Sequence, residues 1–247
     1  MKRMRHENAR RRELVVAEKR FLSPNYLSIR FACDDFGDFA SASWDDHIKV
    51  FLAGGERGAG GKPPMRDYTP RGFDAGKGEF VIDFALHDDA GPATSWARDC
   101  AVGDRLQIGG PRGSVIIPTD FDWYLLIGDE SAIPAISRCL QEQPQNDIRV
   151  FIAVTGKDEE VPLPLSDRHQ VCWVHRPAGA ASDPAALGEA LDGLALPPGE
   201  GFVWIAAEAT VAKAMREKVL AAGHPLSHLK ARGYWVSGEA DSTAQFD

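Results

Sequence analysis

Hydrophobic and polar positions change rhythm once along this 247-residue chain. From about residue 13 to 117, apolar residues alternate with polar ones in short runs: "RELVVAEKR", "YLSIRFAC", "HIKVFLAG", "EFVIDFALH", "DRLQIGGP" and "SVIIP". Period-two alternation in segments rich in β-branched and aromatic residues predicts strands with one buried face. Turn formers separate them, in "SPN", "FGDF", "GGERGAGGKPP", "DDAGP" and "VGD". About six strands at this spacing predict a small, closed antiparallel β-barrel.

After "SVIIPTDFD" continuous apolar runs alternate with helix-period segments. "WYLLIG", "DIRVFIAVTG", "HQVCWVHR", "GFVWIAAEA" and "HLKARGYWVSG" read as strands, the first buried on both faces. "SAIPAISRCLQEQ" reads as a helix with Ser131 as N-cap and Pro134 in its first turn, where a missing N–H costs little. "DPAALGEALDGL" is a second helix. In the third, Val211, Met215, Val219 and Ala222 keep helical spacing up to Gly223. Such alternation predicts a Rossmann-like α/β domain with a mainly parallel sheet. The expected organisation is therefore a basic flexible tail over 1–12, a β-barrel over 13–118 and an α/β domain over 119–247. Ligand sites in such a plan favour the cleft between domains and the carboxyl ends of parallel strands.

Composition narrows the function classes. Hydrophobic content of 44% with 26% charged residues is that of an ordinary globular protein, and no run approaches the ~18 apolar residues of a membrane span. The N-terminus "MKRMRHENARRRELVV" lacks the apolar core of a secretory signal. Cys33, Cys100, Cys139 and Cys172 are scattered, which argues against a zinc ribbon or a disulfide framework and fits a reduced, cytoplasmic setting. The first twenty residues carry eight Lys/Arg against three Glu, but the whole chain has a net charge of -8, so nucleic acid is not the expected partner. A monomer without membrane insertion is the default expectation.

Two stretches bear candidate chemistry. In "MRDYTPR", Arg66 and Tyr68 share one face of an extended strand, with Thr69 opening the turn at Pro70. A tyrosine ring can stack on a flat heterocycle and an arginine can hold a pyrophosphate, while a polar strand end with a satisfied tyrosine fits the same residues. In "FALHDDAGPATSW", Asp83 and His87 occupy alternate positions of one expected strand. Ala93, Thr94 and Ser95 would present backbone N–H groups at the start of a short helix, an anion-binding arrangement. Arg112 in "GGPRGS" can face a negative ligand.

Taken in this order on a barrel, the two stretches resemble the siderophore-interacting protein family, a branch of the ferredoxin–NADP reductase superfamily. The residues that carry the resemblance are Arg66, Tyr68, Thr69 and Arg71, then "VIDFALH", "GPATSWA" and "GDRLQIGGPRGS". It continues through "YLLIGDESAIPAI" and "VWIAAEATVAKAMR" to "RGYWVSGEAD". The resemblance implies a non-covalent FAD in the barrel, with Tyr68 and Thr69 against the flavin and Arg66 near its phosphates. Asp83, Phe84, Leu86, His87, Ala93, Thr94 and Ser95 would complete the site. NADPH or NADH would dock on the second domain, and electrons would pass singly to a ferric siderophore held by a basic cluster. Lys49 matches one member of that cluster.

The second domain departs from superfamily pattern. No G-x-G-x-x-G is present, and "IGDESAIP" sets Asp129 and Glu130 where a pyrophosphate would be repelled. Asp129 and Glu208 are candidates for contact with adenine, ribose or nicotinamide, with Glu208 fitting equally a residue that merely precedes a helix. Val236 stands where relatives often have a basic residue, with Lys230 and Arg232 as nearby substitutes. The leading expectation is an FAD-dependent, NAD(P)H-driven ferric-siderophore reductase. A general flavin or ferredoxin-type reductase, or a non-catalytic flavoprotein that binds iron chelates, stands as the alternative.

Overall fold

The computed structural model describes residues 1–52, 64–87 and 91–246. Most of the glycine-rich turn and of the "DDAGP" turn expected from sequence lies outside the described residues. The chain divides into two compact units, Met1–Ile117 and Pro118–Asp247.

The first unit contains β1 (Lys2–Arg5), β2 (Arg11–Ser23), β3 (Tyr26–Ala32), β4 (Ile48–Phe51), β5 (Met65–Tyr68), β6 (Gly72–Asp74), β7 (Glu79–Ala85), α1 (Pro92–Asp99), β8 (Arg105–Gly109) and β9 (Gly113–Ile116). Seven of these strands form one antiparallel sheet in the order β5-β4-β8-β2-β3-β7-β6. Alternation drives it: Leu14 and Val16 of β2, Leu27, Ile29 and Phe31 of β3, and Phe80, Ile82 and Phe84 of β7 all enter one core. The sheet's two edges, β5 and β6, are separated in sequence only by residues 69–71. A flat seven-stranded sheet would hold its edges roughly 29 Å apart, whereas three residues span about 11 Å. The sheet must therefore wrap into a barrel whose open seam lies at "YTPRG".

The reading of residues 1–12 as a flexible tail is corrected. Lys2–Arg5 pair antiparallel with β9, from Lys2 opposite Ile116 to Arg5 opposite Gly113, and β2 begins at Arg11. His6 continues the attachment: its N–H donates to the Arg112 carbonyl, and its Nε2 lies 2.7 Å from the buried Ser114 hydroxyl, which donates to Asp46. A strand with four exposed side chains leaves no hydrophobic signal, because backbone pairing alone forms it.

The second unit contains β10 (Trp123–Gly128), α2 (Ile133–Glu142), β11 (Ile148–Val154), β12 (His169–His175), α3 (Ala185–Ala190), β13 (Gly201–Glu208), α4 (Ala209–Ala221), β14 (Leu229–Trp235) and β15 (Ala244–Gln245). Its sheet runs β12-β11-β10-β13-β14-β15, parallel except for the β15 edge. The central strands β10 and β13 are buried at every position, which explains their continuous apolar runs. The chain winds outward on both sides of β10, so the switch point lies between β10 and β13.

Candidate functional site

The motif around Tyr68 occupies the barrel seam. β5 pairs with β4 on one side only, so its other edge leaves backbone groups unpaired by any strand among the described residues. Tyr68 ends this strand, and its ring contacts Phe84 of β7 at 4.7 Å between centroids. Burial pushes the Tyr68 phenol well above its usual range, against the opposing charge of Arg66, so it stays a neutral donor. Arg66 anchors one guanidinium nitrogen on the Met65 carbonyl at 2.8 Å. Thr69 is buried at the turn.

Arg71 and Asp83 form the other side of the seam. Arg71 Nε lies 3.6 Å from Asp83 Oδ2, while Asp83 Oδ1 is buried without a hydrogen-bond partner among the described residues. Burial raises the Asp83 pKa, opposed by the Ser28 hydrogen bond and by Arg71. An orphaned buried carboxylate oxygen, an edge strand with open backbone groups and a neutral tyrosine together suit a flat ligand rich in hydrogen-bonding atoms. The residues present thus fit a flavin.

Two details of the sequence reading change in this unit. β7 ends at Ala85, so His87 lies beyond the strand and is exposed, whereas Asp83 is only 4% exposed. Phe84 and Leu86 are buried in the barrel core. At α1, the Ser95 N–H donates to the Gly91 carbonyl at 3.0 Å and Pro92 has no N–H. Only the first-turn amides of Ala93 and Thr94 therefore remain for an anion.

The candidate substrate cations differ in how far they are committed. Lys49 sits directly across from Asp67 in the β4–β5 ladder, and their charges meet at 2.9 Å. Arg112 is exposed, with no ion-pair partner among the described residues. In the second unit, Lys230 and Arg232 share one face of β14, and both are half-buried.

Asp129 and Glu208 are both buried and committed to hydrogen bonds within the fold, and Glu208 does directly precede a helix. Asp129 is 2% exposed; one carboxylate oxygen accepts from the Ser131 N–H and hydroxyl, the other from the Glu208 N–H at 2.8 Å and the Trp235 indole at 2.9 Å. Glu208 is 1% exposed and caps α4 through the Thr210 and Val211 N–H groups, while its second oxygen accepts from the Ser237 N–H. The two carboxylates tie the ends of β10, β13 and β14 together. Asp129, not Ser131, is the cap here, because a 3-10 turn over Glu130–Ala132 precedes α2. The single glycine of this loop has a packing role: a Cβ on Gly128 would run into Ala132 Cβ and lie 2.9 Å from the Ala206 carbonyl.

Sequence reasoning missed Arg176. This buried residue follows β12 and pairs with Glu130 through Nη2, 2.6 Å from each carboxylate oxygen. Burial and the neighbouring Asp129 charge push the Glu130 carboxyl up to about 7, with Arg176 opposing. The charge beside "IGDESAIP" is thus offset within the fold. The only sequence signal was a lone arginine closing an apolar strand.

Comparison with known proteins agrees with this geometry. Residues 121–238 match the family model described as "Siderophore-interacting protein", and residues 55–115 match "Siderophore-interacting FAD-binding domain". The "NADPH-dependent ferric-chelate reductase" of Escherichia coli is 30% identical over 244 residues, covering 91% of this chain and 92% of that protein. The "Ferric vibriobactin reductase ViuB" of Vibrio cholerae is 29% identical over 203 residues, covering 76% of this chain and 74% of that protein. Among solved structures, a siderophore utilization protein from T. fusca superposes with a TM-score of 0.88 at 30% identity, covering 98% of each chain. The chain belongs to the siderophore-interacting protein family.

Proposed function

We propose that this protein is an FAD-dependent ferric-siderophore reductase that draws hydride from NADPH. The observation that carries the reading is the barrel seam, where Tyr68, the open edge of β5 and the orphaned Asp83 oxygen converge on a chain whose E. coli relative over nine-tenths of its length is an NADPH-dependent ferric-chelate reductase. When bound, FAD supplies the conversion between one hydride from NADPH and single electrons for Fe(III).

The chain's own residues bind and orient. Tyr68 presents its ring and neutral hydroxyl, Thr69 its hydroxyl at the turn, and Arg66 a cation for the phosphates. Arg71 holds Asp83, whose free oxygen accepts from the ligand. Ala93 and Thr94 offer their amides, and exposed His87 closes the stretch. Asp129 and Glu208 keep the ends of the second unit's strands in register for the nucleotide. In the first unit, Lys49, in competition with Asp67, and Arg112 offer positive charge to a negatively charged iron chelate; in the second unit, Lys230 and Arg232 offer the same. Iron leaves because hard oxygen donors hold Fe(III) more tightly than Fe(II).

The deciding experiment is an anaerobic titration. The purified protein is expected to be yellow, to bleach on addition of NADPH and to recolour on addition of a ferric siderophore. Protein that takes up no FAD, or that bleaches but is reoxidised by ferredoxin and not by ferric siderophores, would overturn the assignment. The protein acts as a cytoplasmic monomer; light scattering at micromolar concentration and cell fractionation check this. Among the described residues, no helix is long and apolar enough to cross a membrane.

A further inference from the structure

The basic N-terminal stretch has no part in the seam at Tyr68. Its first twelve residues set Lys2, Arg3, Arg5, Arg10, Arg11 and Arg12 against Glu7 alone, on a chain whose net charge is -8. Pairing of β1 with β9 fixes this stretch in place, and residues 6–10 then bridge to β2. Together with Arg12, Asp38, Gly110 and Pro111, Arg5 and His6 wall a cavity of about 140 Å³. At roughly 30 Å³ of liquid volume per water, this is room for a phosphate-sized ion. No residue assigned to the flavin site lines it.

The walls suit an anion. Arg12 is only 3% exposed, and its guanidinium lies over the Phe39 ring at 5.5 Å from the centroid. Both its hydrogen bonds use Nη2, to Asp38 Oδ1 at 2.7 Å and to the Asn8 carbonyl at 3.3 Å. Arg12 Nε is buried with no partner among the described residues, so the Nε side of the fork is not engaged. The charge of Asp38 is already offset: it also accepts from Arg10 Nη2 at 3.0 Å, and the Arg12 and Arg10 hydrogen bonds hold its carboxyl below the usual carboxylate range. His6 is anchored on the wall as a donor. The one Ser114 hydroxyl proton goes to Asp46 Oδ2 at 2.6 Å, so at its 2.7 Å contact with His6 Nε2 the hydroxyl accepts. Glu7, the remaining acid of the wall, is exposed and can turn to solvent.

We propose that this cavity binds a small oxyanion, a phosphate or a carboxylate of similar size, between Arg5 and Arg12. A buried guanidinium with an unsatisfied donor costs free energy, and an anion beside it offsets that cost. Oxygens of the ion accept from both guanidinium groups, which ties residues 5–9 to the body of the first unit. The site is separate from the flavin seam and does not depend on the reductase reading.

Calorimetric titration of the full-length protein with inorganic phosphate and with malonate, at constant ionic strength set by chloride, tests the assignment. At least one of the two is expected to saturate one site per chain and to raise the melting temperature by a few degrees at ten times its Kd. Which of them binds assigns the phosphate or the carboxylate. Arg5→Gln changes an exposed side chain of β1 and is expected to weaken binding about tenfold. Arg12→Gln combined with Asp38→Asn removes the guanidinium without stranding its carboxylate and is expected to abolish binding. Lys2→Gln makes the same change of charge on the same strand outside the cavity and is expected to bind as the parent does. The proposal is wrong if neither anion saturates a site on the parent, or if Arg5→Gln binds with the parent's Kd. An equal loss in Lys2→Gln and Arg5→Gln would also overturn it, because a diffuse basic surface would then account for the binding.

Discussion

Tyr68 rests its ring on Phe84 at the end of an edge strand, so packing depends on the ring and ligand contact on ring and hydroxyl together. Tyr68→Phe should keep stability within about 1 kcal/mol of the parent, whereas Tyr68→Ala should lose roughly 1–3 kcal/mol and most of the bound flavin. The ratio of flavin to protein absorbance after gel filtration reads the second effect; a Tyr68→Ala protein as yellow as the parent would remove Tyr68 from the site. Asp129 is a contrasting case, since its carboxylate serves donors from Ser131, Glu208 and Trp235. Asp129→Ala strands these buried donors and should cost about 3 kcal/mol in urea unfolding. A loss below about 1 kcal/mol would mean the network is not structural. Lys49 faces Asp67 at a partly exposed pair of low intrinsic worth. Lys49→Ala should raise KM for an anionic iron chelate a few-fold and Asp67→Asn should lower it, with flavin content unchanged in both. The same direction in both variants would exclude a charge effect.

At the scale of elements, the barrel wraps because β5 and β6, its two edges, are tied by three residues, and this is what places Tyr68, Thr69 and Arg71 on one seam. The strand β1 adds a smaller tie. It buries no side chain, so its contribution comes from backbone pairing with β9 and from the His6–Ser114–Asp46 chain. Deleting residues 2–6 should lower stability by about 1–2 kcal/mol without changing flavin content. Unchanged thermal unfolding would show that β1 is frayed in solution. In α1, the Gly91 carbonyl consumes the Ser95 amide, so the helix start offers fewer donors than its sequence suggests.

Across the whole molecule, pH dependence follows from groups whose folded pKa departs from the unfolded value. Glu130 is raised from 4.5 to about 7, chiefly by burial, then by Asp129. The folded state holds this proton more tightly than the unfolded chain does. Its contribution to stability is therefore fully present below about pH 4.5 and is lost as pH rises toward 7. Glu130→Gln cannot lose it. The melting-temperature difference between parent and Glu130→Gln should thus shift against the parent through that window and be flat on either side. A difference that does not change with pH would show that Glu130 is ionised throughout. Asp83, also raised by burial, has the same sign.

Much of this protein was readable without its fold. Period-two alternation was enough to find β2, β3, β4, β7 and β8, and continuous apolar runs were enough for β10, β11 and β13, because burial on one or both faces leaves its mark on composition. The motif at Arg66, Tyr68 and Thr69 was visible as local text. What side chains do to one another across the chain was not visible. Asp129 and Glu208 read as acids that could meet a ligand; donors 79 and 106 positions away make Asp129 a buried acceptor, while Glu208 caps α4 and accepts from the Ser237 N–H. Lys49 looked free until strand register set Asp67 opposite it, and the charged residues Lys2–Arg5 looked like a tail until β9 supplied their pairing. Arg176 could be found only once three strands placed it beside Glu130. Periodicity records how much of a residue is buried, whereas partner identity depends on which distant segments the sheets bring together, and that is a property of the tertiary structure alone.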